Sequence, residues 1–325
     1  MKPQILPPNV LRHFYRGGPR IAALRGLELE SDHMPEEWIG AVSTMFGQTE
    51  RGLSRFQDGT FVRDAIAADA EAYLGADHAA RYGPDAALLV KLLDAGQRLP
   101  AHFHPGGAFA REALDSRYGK TEAWLIVEAD PGAAVWVGFN RDVQLDEVRE
   151  WMRTQDAAAM LAAMHKLPVS PGDAIFVPAG TSHAIGDGIL LVELQEPTDF
   201  SVLLEWDGFE LSPDDGHLGL GWDRALAALD RAQAEPPQPG TQLPETADPY
   251  FRAERVRGGD ALDPGFSILV VLQGQGVLAT DDDDTPLARG TAVLIPHAAG
   301  AGELRGDVEA LRCRPPAPDA GERRW

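Results

Sequence analysis

Cysteine is almost absent. Cys313, near the C-terminal end of 325 residues, stands alone, which excludes an internal disulfide and any cysteine-rich zinc module. Lysine is nearly as scarce, at positions 2, 91, 120 and 166 only, and arginine supplies the rest of the positive charge. Positive charge of any kind is short: 29 bases face 50 acids, a formal net charge of −21, which argues against nucleic acid and anionic membranes as partners. No apolar run is long enough to span a bilayer, and the opening MKPQILPPNVLRHFYRGG has no uninterrupted apolar stretch, so the chain reads as soluble and cytoplasmic. Aromatic residues make up only 7%, whereas 34 Gly and 25 Pro signal many turns between short strands.

Between about residues 85 and 139, short apolar runs alternate with turns (ALLVKLLDAG, RLPAHFHPGG, EAWLIVEADPGA, AVWVGF), the pattern of a β-sandwich or barrel. From Val143 to His165 the spacing becomes helical, and a helical insertion is expected at about 141–167, with His165 on it. Strands resume through SPGDAIFVPAGTSHAIGDGILLVELQE, and GHLGLGWDRALAALDRAQ reads as a helix. Residues 232–249 hold five prolines and read as a linker. Residues 250–325 form a second β-rich unit with a single histidine, His297, expected to bind no metal. Asp281 to Asp284 read as a solvated hairpin tip, and the tail PPAPDAGERRW as loose chain. Residues 1–231 then form the first unit, the first 80 covering its barrel with strands and helices.

Chemistry concentrates in three segments of that first unit. Residues two apart on a strand share a face, so His102 and His104 in PAHFHPGG set two imidazoles side by side, and Lys120 and Glu122 in GKTEAW pair likewise. His183 follows a Pro/Gly turn in PAGTSHAIG that can return the chain beside them. Three imidazoles and a carboxylate suit a divalent ion such as zinc, manganese, iron or nickel. Lys91 interrupts an apolar strand; if buried, its pKa is expected to fall into a useful acid–base range, and if it snorkels to an edge it is merely a solubilising residue. Glu196 and Asp199 are further candidate acids. The GKT at 119–121 is no phosphate loop, because position 114 is Leu where such a loop needs Gly.

The ordered blocks LLVKLLDAGQRLPAHFHP, GKTEAWLIVEADPGA and SPGDAIFVPAGTSHAIGDGILLVELQE resemble the type I mannose-6-phosphate isomerases, which are bicupin zinc enzymes. EEWIGAVS and LQGQGVL extend the likeness over nearly the whole chain. The resemblance implies a mainly β bicupin of two jelly-roll barrels, with a metal on His102, His104, Glu122 and His183, most simply zinc. It implies Lys91 and Lys120 in the sugar pocket, with Glu122 and both lysines as the catalytic set. Two positions depart from the family. His102 stands where Gln is usual, opening the site to manganese, iron or nickel. Leu203, in SVLLEWDGF, stands where the family carries an arginine thought to assist catalysis.

The expected activity is metal-dependent aldose–ketose isomerisation of a hexose phosphate or a related free sugar. A cupin that binds sugar without turnover is the alternative that Leu203 favours. An oxygen-using cupin is a third reading, against which GKTE and PAGTSHAIG stand.

Overall fold

The runs LLVKLLDA and ILLVELQ are too continuous for strands with one wet face. The computed structural model, which describes residues 1–317, shows that neither has one. Leu89–Ala95 and Ile189–Gln195 lie side by side, antiparallel, at the centre of a six-stranded sheet ordered 10–11, 36–39, 89–95, 189–195, 122–129, 174–177. Alternation sends Val90, Leu92, Leu190, Val192 and Leu194 outward and Leu93, Ala95, Ile189 and Leu191 inward. Each of these Val, Leu and Ile side chains stabilises the fold by about 1.5–3 kcal/mol through burial. A charge at an inward position is therefore almost wholly withdrawn from bulk water, and both runs contain one: Lys91 and Glu193.

A five-stranded sheet ordered 202–203, 102–103, 183–185, 134–139, 164–168 faces the first and shares its interior core, completing the first barrel. Helices Leu145–Thr154 and Ala157–Ala162 cover its outer side through Val148, Trp151, Met152 and Met160. The helical spacing ends earlier than expected. Met164–Pro168 is a strand paired with 134–139, and His165 sits on it, its ring hydrogen-bonded to the Ala234 carbonyl at 2.8 Å. Residues 216–233 also differ from the expected helix. They break into single turns at 213–217, 222–225 and 226–228, which lets Leu226 and Leu229 drop into the same core as Val143 and Trp151. The Val143 N–H meets the Arg231 carbonyl at 2.9 Å, so tertiary contacts take the place of helix propagation.

The second unit is a seven-stranded antiparallel sheet built on Ser267–Thr280 and Gly302–Arg314. Its interior holds Leu269, Val271, Leu278, Val293 and Leu304. Its outer face (Ile268, Val270, Leu272, Leu294 and Leu311) meets the outward face of the six-stranded sheet in one continuous core, shared with helix Val62–Ala68. Gln4–Ile5 also pairs here, with Val293 and Leu294, so the start of the chain completes the later sheet. Thr280 and Asp283 close the turn at the acidic hairpin. Residues 318–325, most of the tail expected to be loose, lie outside the described residues. Among the described residues no helix is long and apolar enough to cross a membrane.

Candidate metal centre and active site

Register places the three imidazoles. His102 lies directly opposite His183 on one side and Leu203 on the other. Pro105 follows His104 and removes a ladder N–H. The turn leading to His183 carries Gly180 at φ 86°, and its N–H binds the His104 carbonyl at 2.7 Å, tying the two histidine-bearing segments together. Gly119 passes so near the HPGG loop that a Cβ would lie 2.6 Å from the Pro105 carbonyl oxygen and the Gly107 nitrogen. That closeness, with the Lys120 N–H on the Pro105 carbonyl at 3.0 Å, sets Lys120 and Glu122 against the histidines.

The ring nitrogens are sorted by the backbone. Each Nδ1 faces a carbonyl: His102 that of Pro100 at 2.8 Å, His104 that of Phe200 at 2.7 Å, His183 that of Thr181 at 2.8 Å. Nδ1 must donate in each case, so all three Nε2 lone pairs are left for the interior. The three histidines could hold a metal ion: one ligand atom from each lies within 4.8 Å of the others. Glu122 joins them, with Oε2 2.9 Å from His104 Nε2 and Oε1 3.4 Å from His183 Nε2. Trp124 donates to Glu122 Oε1 at 2.9 Å and fixes the carboxylate. His104 Nε2, His183 Nε2 and Glu122 Oε2 are buried without a hydrogen-bond partner. Acceptors crowded together in a dry interior repel one another, and a cation in their midst satisfies all of them.

Burial holds the imidazoles neutral. It pushes His104 and His183 down to about 3 and His102 well below the usual range, helped at His104 by the Lys120 charge and opposed by Glu122. In the unfolded chain the same rings take protons near pH 6.5, so their contribution to stability is present above that pH. For His104 and His183 it is lost as pH falls towards 3, at about 1.4 kcal/mol per pH unit for each ring. The lone pairs need no deprotonation to bind a metal. An ion loaded at neutral pH is therefore expected to stay through buffer exchange at pH 5. Elemental analysis after gel filtration checks this, and stepwise release between pH 7 and 6 would mean ordinary, accessible imidazoles.

The facing sheet contributes a chain of alternating charges. Lys91 and Glu193 are cross-strand neighbours, as are Lys91 and Trp38, and all are buried. Lys91 Nζ lies 3.2 Å from Glu36 and 3.8 Å from Glu193; Lys120 Nζ lies 3.3 Å from Glu122 and 3.8 Å from Glu193. The sequence expectation for Lys91 is corrected here. Burial opposes its charge, but the carboxylates of Glu193 and Glu36 outweigh burial, so its pKa is raised rather than lowered. Glu36 is held low despite burial by His13, Lys91 and hydrogen bonds from Trp38 at 2.8 Å and Tyr15 at 2.7 Å. Glu193 moves the other way. Burial and the Glu122 charge push it up to about 8 against the pull of the lysines, leaving a carboxylic acid that titrates near neutrality.

Glu193, Glu36, His13 and Tyr15 were not among the sequence candidates. Glu193 carried a signal, the lone charge within ILLVELQ, the same signal that marked Lys91. Of the two additional acids, Asp199 lines the cavity, whereas Glu196 is buried and spent on the Thr121 N–H at 2.9 Å. The cavity is about 330 Å³, bounded by Lys91, Lys120, Glu122, Glu193 and His102 and by Leu203.

An antiparallel two-unit β architecture with histidines and a glutamate inside one barrel defines a cupin-class protein. No family model matches the chain. It is 28% identical over 312 residues to the mannose-6-phosphate isomerase of Streptococcus mutans, covering 91% of this chain and 93% of that protein. It is 27% identical over 239 residues to mannose-6-phosphate isomerase ManA of Bacillus subtilis, covering 69% and 73%. The fold matches the crystal structure of the Bacillus subtilis mannose 6-phosphate isomerase with a TM-score of 0.76 at 21% identity, over 97% of this chain and all of that one. A substituted phosphomannose isomerase of Salmonella typhimurium gives 0.74 at 17% identity, over 97% of this chain and all of that one. In sequence the chain is similar to these mannose-6-phosphate isomerases along most of its length, and it shares their fold.

Proposed function

We propose that the protein is a metal-dependent aldose–ketose isomerase acting on a hexose phosphate or a related free sugar. One observation carries the reading: inward lone pairs on neutral histidines and the unsatisfied Glu122 Oε2 adjoin a cavity that contains an acid poised near neutrality. His102, His104, Glu122 and His183 would hold the ion, zinc first, with manganese, iron and nickel compatible with so imidazole-rich a set. A divalent ion supplies polarisation of the sugar oxygens and stabilises the negative charge that develops on them.

The remaining roles fall to this chain's own side chains. Isomerisation moves a proton between adjacent carbons, so one group must take it and return it. Glu193, near 8, is suited to both directions. Lys91, its pKa raised, stays charged beside it, and both Lys91 and Lys120 can donate to sugar oxygens and keep the carboxyl in place. The aliphatic wall at Leu203 and Leu99 excludes water from the reacting end.

The test is interconversion of aldoses and ketoses, free and phosphorylated, followed by NMR with the protein reconstituted in turn with zinc, manganese, nickel and iron. Turnover with at least one metal, lost on stripping and regained on reloading, is the expected outcome. Sugar binding with no conversion under any metal would replace the enzyme with a sugar sensor.

A further inference from the structure

Resting on the isomerase reading, we propose that the sugar this cavity accepts is uncharged, an aldose or ketose whose far end carries a hydroxyl and not a phosphate. The wall decides it. Five carboxyls line the cavity (Glu36, Glu122, Glu193, Asp199 and Asp215), against two lysines and no arginine. Both lysines are buried at the metal end and already matched to Glu36, Glu193 and Glu122, so neither can follow a phosphate to the other end. Phosphate recognition rests on guanidinium forks, free ammonium groups or open helix N-termini. Of the arginines beside lining residues, Arg12 is held by Glu210 at 2.8 Å, Arg98 by Glu205 and Arg16 by the Gln97 side chain at 3.1 Å, while the exposed Arg51 is tied to the Arg12 carbonyl.

The short helical turn at Pro213–His217 offers no anion seat either. Its first turn is closed by the Ser212 and Asp215 capping pair, which sets a carboxylate where an anion would have to lie. The adjoining depression, which shares Met45, Phe46 and Asp199 with the cavity, holds one cation, Arg63, among Asp64, Asp85 and Asp199. Arg63 is bound to Asp64 at 3.2 Å. A dianion entering either space meets carboxylates, and the chain's overall charge of −21 gives it no steering from afar. Uncharged hydroxyls suit the same wall: Asp199, Asp215 and Ser201 can accept from them, and Phe14, Phe46 and Leu203 can cover the carbon faces.

Two measurements on the metal-loaded full chain test this. The first compares kcat/KM for mannose and mannose 6-phosphate, and for fructose and fructose 6-phosphate. The free sugars are expected to be preferred by about tenfold or more. The second is calorimetric binding of the unreactive mannitol and of mannitol phosphate, with mannitol alone expected to bind. Preference for the phosphorylated partner in either measurement overturns the inference. Turnover of phosphosugars alone would do so while leaving the isomerase reading intact. Mannitol binding without turnover of any sugar would sink the isomerase reading and leave the uncharged ligand standing. Absence of both turnover and binding would remove both. As a further check, Asp199→Asn with Asp215→Asn should raise kcat/KM for the phosphosugar several-fold relative to the free sugar, a change in ratio that partial misfolding would not produce.

Discussion

His183→Ala is expected to lose its bound metal and to cut kcat by about a thousandfold or more. The ring is 1% exposed, its Nδ1 is held by the Thr181 carbonyl, and its Nε2 has no partner but the site itself. Alanine removes one proposed ligand of four and leaves His102 on the neighbouring strand, His104 just beyond its end, and Glu122 on the facing sheet. Metal content by elemental analysis and turnover by NMR should fall together. The stability readout separates this from simple damage. Without metal, the wild-type site confines mutually repelling acceptors, and deleting one relieves part of that repulsion. The metal-free variant should therefore lie closer in stability to the metal-free parent than the two metal-loaded preparations lie to each other. A variant that keeps a full complement of metal and its activity would end the proposed ligand set.

Lys91→Met is expected to destabilise the first barrel by about 3–5 kcal/mol, because Glu36 and Glu193 would remain buried without their shared cation. Methionine approximates the stem of lysine, so the loss reads the charge more than the volume. Adding Glu193→Gln removes one of the stranded carboxylates, and the double variant should recover a substantial part of the loss. Thermal unfolding followed by the fluorescence of the buried Trp38 and Trp124, both on this sheet, measures the cycle. Strict additivity of the two substitutions would show that the charges are not coupled. Activity should fall in all three variants, since the same groups face the substrate cavity.

The clustering of the candidate ligands was legible because strand alternation is a local rule. His102 and His104 needed only their spacing, Lys120 and Glu122 the same, and His183 the turn before it. Lys91 was legible as a charge inside an apolar run, but its electrostatic state was not. Whether a buried lysine loses or keeps its proton depends on what stands opposite, and its partners are Glu36, far upstream, and Glu193, far downstream. Local reading also failed where helix spacing gave way to tertiary demand, at His165 and in residues 216–233. Sequence reading placed a helix over Leu226 and Leu229; the fold needs their side chains in a pocket that a straight helix would miss. The two-unit organisation could be read from pattern and resemblance, but not the back-to-back burial of the two sheets, because an outward-facing apolar row does not name the surface that covers it.

The pairing of Gln4–Ile5 with Val293–Leu294 has a consequence for biosynthesis. On a ribosome adding about 5–20 residues per second, this first strand waits roughly a quarter of a minute to a minute for its partner. During that interval its open hydrogen-bonding edge and the outward face of the six-stranded sheet, the wall behind the reacting groups, stay uncovered. The last-made quarter of the protein therefore acts as an internal chaperone for the rest. Its arrival caps the sticky intermediate, and synthesis halted before the last strands would leave a chain prone to aggregate.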